Sequence, residues 1–492
     1  MITPTDPPAD QPAPRLRRRW WRRALSLRGL MVLVLLVGGG LGWWVRHVRL
    51  RRAAIATIEA AGGVIAFQDQ YPPVEGWWAW LYERTGIEEF REVSAITIQF
   101  DPTRPRLSRE GEPMTPAQSI DATIGAMTHL GPIGYVAFYG FPITSGGMGR
   151  LAEVRLTNLV LYKVSAFPED TLDALSRLHQ LEGLDIAMES VILPRGIFGA
   201  VGKLSRLKSL SLRQKSAGIV DRAELASLGR LQGLEMLQLS WATLDGDSLD
   251  VLNSLDQLRF LSLGSARPDD AALRRLVTHH PRLEDLSVDG SELSDHGVAA
   301  LADLPELNML WLAGNQGRPG HLTDASLEAL GRTTLGTLGV TCGNFTAVGL
   351  DALVGLPLDA LELSSIGLGN EAGIGRLVAG RTFRSLSLSG PGVTDAALPH
   401  LTGRSFMAGA SSLSLSRSAI TDAGMPHLAL LPLRRLNLDE TALTDVGLAT
   451  LAAGMTAREL IARGTRITPA GIAAFEAARP GQGRFDGSPE DE

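Results

Sequence analysis

The sequence predicts an α/β solenoid with a parallel sheet on its concave face and helices on its convex face, preceded by one apolar helix. Three observations predict it. A six-residue pattern of alternating leucines returns at intervals of 23 to 28 residues. A Thr/Ser-Asp dipeptide recurs between successive copies, where a helix should start. Near the N-terminus, one stretch is uncharged and long enough to be set apart from everything that follows.

That stretch comes first. Residues 1–14 are proline-rich without large apolar side chains, so they have little to bury and are expected to be disordered. Seven arginines follow between Arg15 and Arg28, interrupted by Trp20 and Trp21. Residues 29–45, GLMVLVLLVGGGLGWWV, carry no charge and end at Arg46. Trp21 and Trp43 are about 33 Å apart on a helix rising 1.5 Å per residue, a bilayer's thickness with an aromatic belt at each surface. The reading is a transmembrane helix at 29–45 behind a basic cytoplasmic segment at 1–28. Four arginines follow the stretch, fewer than precede it, which orients the body outside. A cleaved secretory signal is the competing reading, but Trp43, Trp44 and Arg46 stand where a small-residue cleavage site would be.

Charge separates the anchor from the body. The net charge of −6 combines a basic first 60 residues with a remainder at −14. An acidic body argues against nucleic acid as partner, because phosphate contacts need clustered Lys and Arg. Cys342 is the single cysteine, which excludes an intrachain disulfide and a cysteine zinc site.

Residues 46–150 read as a juxtamembrane and capping region. An amphipathic helix is expected near Arg49–Ala61, a turn at Gly62-Gly63, and a second helix after Thr115-Pro116. Trp77, Trp78 and Trp80 are expected to pack over the first repeat, with contact to the membrane surface as the alternative.

The repeats occupy 151–478. L-x-x-L-x-L, with conservative swaps, begins at Leu181, Leu207, Leu234, Leu258, Leu283, Leu307, Leu335, Leu358, Phe383, Ala410, Leu433 and Ala457. Leu151 opens an earlier copy, and Ile133 and Val93 fit loosely. Period-two alternation makes each copy a strand with one buried face. The intervening LSDHGV, LTDASL, VTDAAL, ITDAGM and LTDVGL place a hydroxyl where it caps free backbone N–H groups and a carboxylate where the helix dipole favours it. Thr468-Pro469 starts the last helix in the same way, and 479–492 reads as a disordered acidic tail.

These motifs resemble the leucine-rich-repeat family over about two thirds of the chain. The helix signature is similar to the cysteine-containing subclass of F-box proteins, but Thr441, Thr465, Ser418 and Ser291 stand at the cysteine position and Cys342 falls one place early. No F-box precedes the repeats, so a ubiquitin-ligase role does not carry over. Cysteine-poor repeats behind a basic anchor look more like bacterial envelope proteins of this family.

Function follows from the strand positions that face solvent on the concave side. The third position of successive copies is Met236, Phe260, Asp285 and Met309, and the fifth includes Trp311. Exposed aromatic and methionine side chains grouped on one face are what a contact patch needs. These five are the expected ligand-contact residues, and the partner is a protein or peptide. Serines at 385, 387, 389, 412, 414 and 416 are a weaker candidate. The alternative is a structural envelope component whose solenoids self-associate or contact cell-wall glycan.

No catalytic pattern competes with this reading. Phosphate-loop, dinucleotide and nucleophile-elbow motifs are absent, and no cofactor or metal is expected. Asp69, Glu88, Glu89, Asp101, Glu110 and His129 are the acids and base available for a hidden site in 62–150. His400 and His427 occupy matching places in neighbouring helices, and His279-His280 are expected to cap a helix end.

Overall fold

In a computed structural model, residues 27–67, 93–99, 114–164, 166–188, 192–214, 218–220, 222–240, 242–244, 246–314, 321–367, 369–479 and 484–486 are described. Trp77, Trp78, Trp80, Asp69, Glu88, Glu89, Asp101 and Glu110 lie outside these residues.

The apolar stretch and the expected amphipathic helix are one continuous helix, Leu27–Ala60. Its segment from Leu30 is long and apolar enough to cross a membrane. Leu35 and Leu36 stand exposed, whereas Ala54 and Ile58 are buried against the helix Pro116–Met127. That second helix starts with a capping box in which the Gln118 backbone N–H donates to the Thr115 hydroxyl and the Thr115 backbone N–H donates back to the Gln118 side-chain Oε1.

Strands follow at every unit and join edge to edge in sequence order. Among the described residues they form one sheet of seventeen strands. The strand Gly63–Phe67 runs antiparallel to Val93–Gln99, and every later pairing, through Ile133–Tyr139 and on to Arg484–Asp486, is parallel. Val93–Gln99 and Ile133–Tyr139, the two loose matches to the pattern, are thus full members of the sheet. The last strand falls in the segment expected as a disordered tail. Phe485 corrects that expectation: its ring meets Phe475 with centroids 5.4 Å apart, giving an otherwise polar segment one apolar anchor.

The register explains the leucine period. Leu237, Leu261, Leu286, Leu310 and Leu338 are direct partners on adjacent strands, each almost completely buried. No single unit can bury such a row; its neighbours on both sides must cover it. The convex layer mixes short α-helices with 3₁₀ turns such as Ala226–Arg230, Asp250–Ser254 and Asp395–His400. Pro399 inside the last of these removes a backbone donor and helps to keep the turn short.

The Thr-Asp dipeptides do more than start helices. In Thr421, Thr444 and Thr323 the side chain accepts from the N–H two residues on, as the sequence suggests. Each aspartate, however, reaches forward into the next unit. Asp422 accepts from the Thr444 N–H at 2.8 Å and from the Thr444 hydroxyl at 2.5 Å. Asp295 takes Thr323 in the same way at 2.8 and 2.7 Å, and Asp445 takes Thr468 at 2.8 and 2.6 Å. The glycine of the motif makes room for it, since a Cβ on Gly447 would stand 2.3 Å from the Asp422 carboxylate. Thr-Asp-x-Gly is therefore a self-complementary clasp, giving a carboxylate forward and receiving one from behind.

Candidate functional site

Alternation along each strand sends the leucines inward and leaves the residues between them on the concave face. The parallel register then aligns those residues into columns. Met236, Phe260, Asp285 and Met309 are successive partners on four adjacent strands. Trp311 lies in the next column, where its direct neighbours are Ser287 and Gly339. All five expected contact residues are brought together.

Their exposure is graded. Met236 is exposed, and its sulfur lies 3.3 Å from the Ser209 hydroxyl. Phe260, Asp285, Met309 and Trp311 are half-buried. The Trp311 indole leans across the neighbouring strand, where a Cβ on residue 339 would stand 2.1 Å from the ring. Glycine at 339 is what allows a tryptophan to lie down on the sheet rather than stand above it.

Further along the same face is a groove of about 610 Å³, bordered by Glu362, Ser387, Asn437, Asp439, Arg417 and Glu440 among others. Ser387, Ser389 and Ser416 from the serine columns line it. Ser365, Arg417 and Glu440 hold left-handed backbone there, with φ of 59°, 55° and 54°, at the turn that carries the chain off the sheet. Glu362 is half-buried, and burial holds its carboxyl above the usual range. Burial, and then the neighbouring Glu284, raise Asp285 as well.

Sequence reasoning overlooked a tyrosine cluster at the N-terminal end of the face. Tyr135, Tyr139 and Tyr162 lie on adjacent strands, with the Tyr139 and Tyr162 rings 5.4 Å apart. The Arg213 guanidinium sits 5.9 Å from the Tyr162 ring centre and pairs with Asp185 at 2.7 Å. Tyrosines four apart in IGYVAFY were the available signal, hidden because that strand fits the leucine pattern only loosely.

His400 and His427, expected at matching places in neighbouring helices, are both exposed. His400 lies in a 3₁₀ turn close against Gly375, whereas His427 sits on an α-helix. Among the described residues no three His, Cys, Asp or Glu side chains converge as metal ligands would. His279 caps its helix by donating from Nδ1 to the Arg275 carbonyl at 2.8 Å. His280 is buried, and burial pushes its pKa down to about 4, so it stays neutral rather than meeting the helix dipole as a cation. His129 is exposed just past a helix end. The Cys342 thiol is buried 3.5 Å from the Leu312 carbonyl and pushed up to about 11, which leaves it unreactive.

A buried leucine row repeated strand after strand, with helices behind and aligned polar columns in front, decides the architecture. The fold is a leucine-rich-repeat solenoid. No protein-family model and no curated protein matches the chain. Among solved structures, an internalin (inlF) from Listeria monocytogenes is 18% identical over 74% of this chain and 86% of its own, with a TM-score of 0.39. A leucine-rich-repeat protein of Leptospira interrogans is 18% identical over 70% of this chain and 92% of its own, with a TM-score of 0.36. A plant peptide hormone receptor, RGFR1 in complex with RGF2, is 13% identical over 74% and 68%, with a TM-score of 0.30.

Proposed function

We propose that this solenoid is a membrane-anchored, non-enzymatic interaction module that binds a protein or peptide on its concave face. The observation that carries the reading is the side-by-side placement of Met236, Phe260, Asp285 and Met309 on four adjacent strands with Trp311 alongside. Such a cluster offers large contact area on a rigid support, which is where interface energy concentrates.

Anchoring rests on the N-terminal helix. We assign 29–45 as the span, 1–28 as the cytoplasmic segment, 46–150 as the juxtamembrane cap, 151–478 as the repeats and 479–492 as the C-terminal segment that adds the strand Arg484–Asp486. The arginine bias places the repeats outside the membrane. An uncleaved anchor is favoured because the helix runs without interruption from Leu27 to Ala60, and its far end is built into the core through Ala54 and Ile58. Protease treatment of sealed vesicles tests the orientation: the repeats should be degraded only from the outer side.

The self-associating alternative fares worse on one observation. At one end of the sheet a strand turns back antiparallel, and at the other a three-residue strand carries Arg484 and Asp486. That short, charged C-terminal edge discourages strand addition by a second copy, whereas the Gly63–Phe67 edge carries no charge.

Crosslinking in cells, with a photoreactive residue on the concave face, identifies the partner. Phe260→Ala with Trp311→Ala should then reduce its capture at least about tenfold, each aromatic anchor being worth about 1–2 kcal/mol. Unchanged capture by that double variant overturns the assignment of the face.

A further inference from the structure

Charged side chains on the concave strands are nearly all neutralised within the protein. Asp185 pairs with Arg213 at 2.7 Å, Asp289 with Arg267 at 3.1 Å, and Glu459 with Arg435 at 2.8 Å. Asp486 pairs with Arg463, whose backbone N–H donates to Asp439 at 2.6 Å. Asp285 and Glu362 differ: among the described residues neither carboxylate has a cation or a hydrogen-bond donor, although both are half-buried.

Their surroundings match each other. Phe260 and Met309 flank Asp285 in its own column. Glu362 is the register partner of Gly339, and the Trp311 ring lies over that glycine. Each carboxylate thus has an aromatic side chain on one side and open concave surface in front. An aromatic face beside an uncompensated carboxylate is a cation site, because both the ring quadrupole and the negative charge attract ammonium or guanidinium.

We infer that the concave face recognises an extended basic peptide, one of whose Lys or Arg side chains is taken by Asp285 and another by Glu362. The inference rests on the concave-face reading above and adds the chemistry of the partner. Burial supports it: both carboxyls are held above their usual range by desolvation, a cost that an incoming cation relieves. The acidic balance of the body, with its open groove beyond Glu362, works in the same direction. Spacing sets the register of the peptide. The two residues are three strands apart across the sheet and offset by two along it, about 16 Å at about 4.8 Å per strand and 3.3 Å per residue. An extended chain covers that distance in about four to five residues.

The test uses the full-length protein in nanodiscs and fluorescent Gly/Ser peptides carrying two arginines at spacings of one, four and eight, with two glutamates as the reversed control. Anisotropy should show binding of the arginine peptide that is tightest at a spacing of four and weakens with salt. Asp285→Asn and Glu362→Gln should each weaken it about tenfold. Both variants keep the side-chain shape, so unchanged melting temperatures confirm that the fold is intact. Absence of binding, or binding that is indifferent to both variants, overturns the inference. If the arginine peptides fail while a crosslinked partner still needs Phe260 and Trp311, the cation assignment falls and the concave-face reading stands. If that dependence fails too, both fall.

Discussion

From Asp270 to Gly471 every helix start is tied to the one before it, whereas between Thr144, whose hydroxyl donates to Asp121 at 2.7 Å, and Ala266 the described residues show no further tie of this kind. In the later stretch Asp270, Asp295, Asp324, Asp395, Asp422 and Asp445 each hold the Ser or Thr of the next unit. Even where Ala347 replaces the aspartate, Asn370 of the following unit reaches back and accepts the Ala347 N–H at 2.6 Å. In the earlier stretch the same place is held by Ser145, Glu169, Arg195, Arg222 and Gly246. Both stretches share the leucine row, so the difference isolates what the clasp adds: directional coupling between units on top of non-directional burial. Leucine burial rewards any close neighbour; a carboxylate gripping one N–H and one hydroxyl rewards a single register.

The largest expected effects probe how far damage spreads. Leu237→Ala and Leu436→Ala each remove a fully buried side chain and should cost about 2–5 kcal/mol. Hydrogen exchange should show the Leu237→Ala lesion confined to the units before Asp270 and the Leu436→Ala lesion spreading through its clasped neighbours. Equal spread would break the comparison.

Acid sharpens it next. His280 has its pKa lowered from 6.5 to about 4 in the folded state, so the unfolded chain takes up a proton first. Stability should therefore fall as pH drops from about 6.5 to about 4, by about 3 kcal/mol in total, and His280→Leu should remove most of that slope. Asp295 and Asp445 behave differently. Burial opposes the charge on Asp295, but bonds from Ser326 and Thr323 outweigh it, and the bonds from Thr468 lower Asp445. Carboxyls held low stabilise the fold above their unfolded pKa of about 3.9 and lose that contribution as pH falls through the folded values. A second loss below about pH 4, read by residue-resolved exchange, should be confined to the clasped units.

Single clasps come third. Asp422→Ala leaves the Thr444 N–H and hydroxyl without their acceptor and should cost about 1–2 kcal/mol in chemical denaturation. The matching change at Glu169, where the described residues show no clasp, should stay within about 0.5 kcal/mol. The smallest effect is expected at the concave face. Trp311→Ala uncovers Gly339 but opens no internal cavity, so it should cost about 1 kcal/mol in stability while removing the aromatic wall beside Glu362.

Much of the architecture was legible because it is local and periodic. The leucines at 181, 207, 234 and onward set the strands, and Thr-x-x-Gly with its aspartate sets the helix starts. The five contact residues could be aligned because a parallel register keeps equivalent positions side by side. Other features were not legible. Arg484–Asp486 looked like tail because one phenylalanine in a polar segment is a weak signal, and the tyrosines at 135, 139 and 162 lay on strands that depart from the leucine pattern. Asp285 and Glu362 read as ordinary acids, since only geometry tells a paired carboxylate from an unpaired one.

Taken alone, the amino-acid order determined the period, the strand faces, the helix starts and the separate apolar N-terminal stretch. These depend on residues within one unit, where a few positions fix backbone conformation and the side chains' alternation. Tertiary structure alone decided that each aspartate serves the next unit, that Trp311 rests on Gly339, and which carboxylates on the concave face are left without a counter-ion. Those outcomes join residues more than twenty positions apart, and stacking brings them within bonding distance only after every unit has found its neighbour.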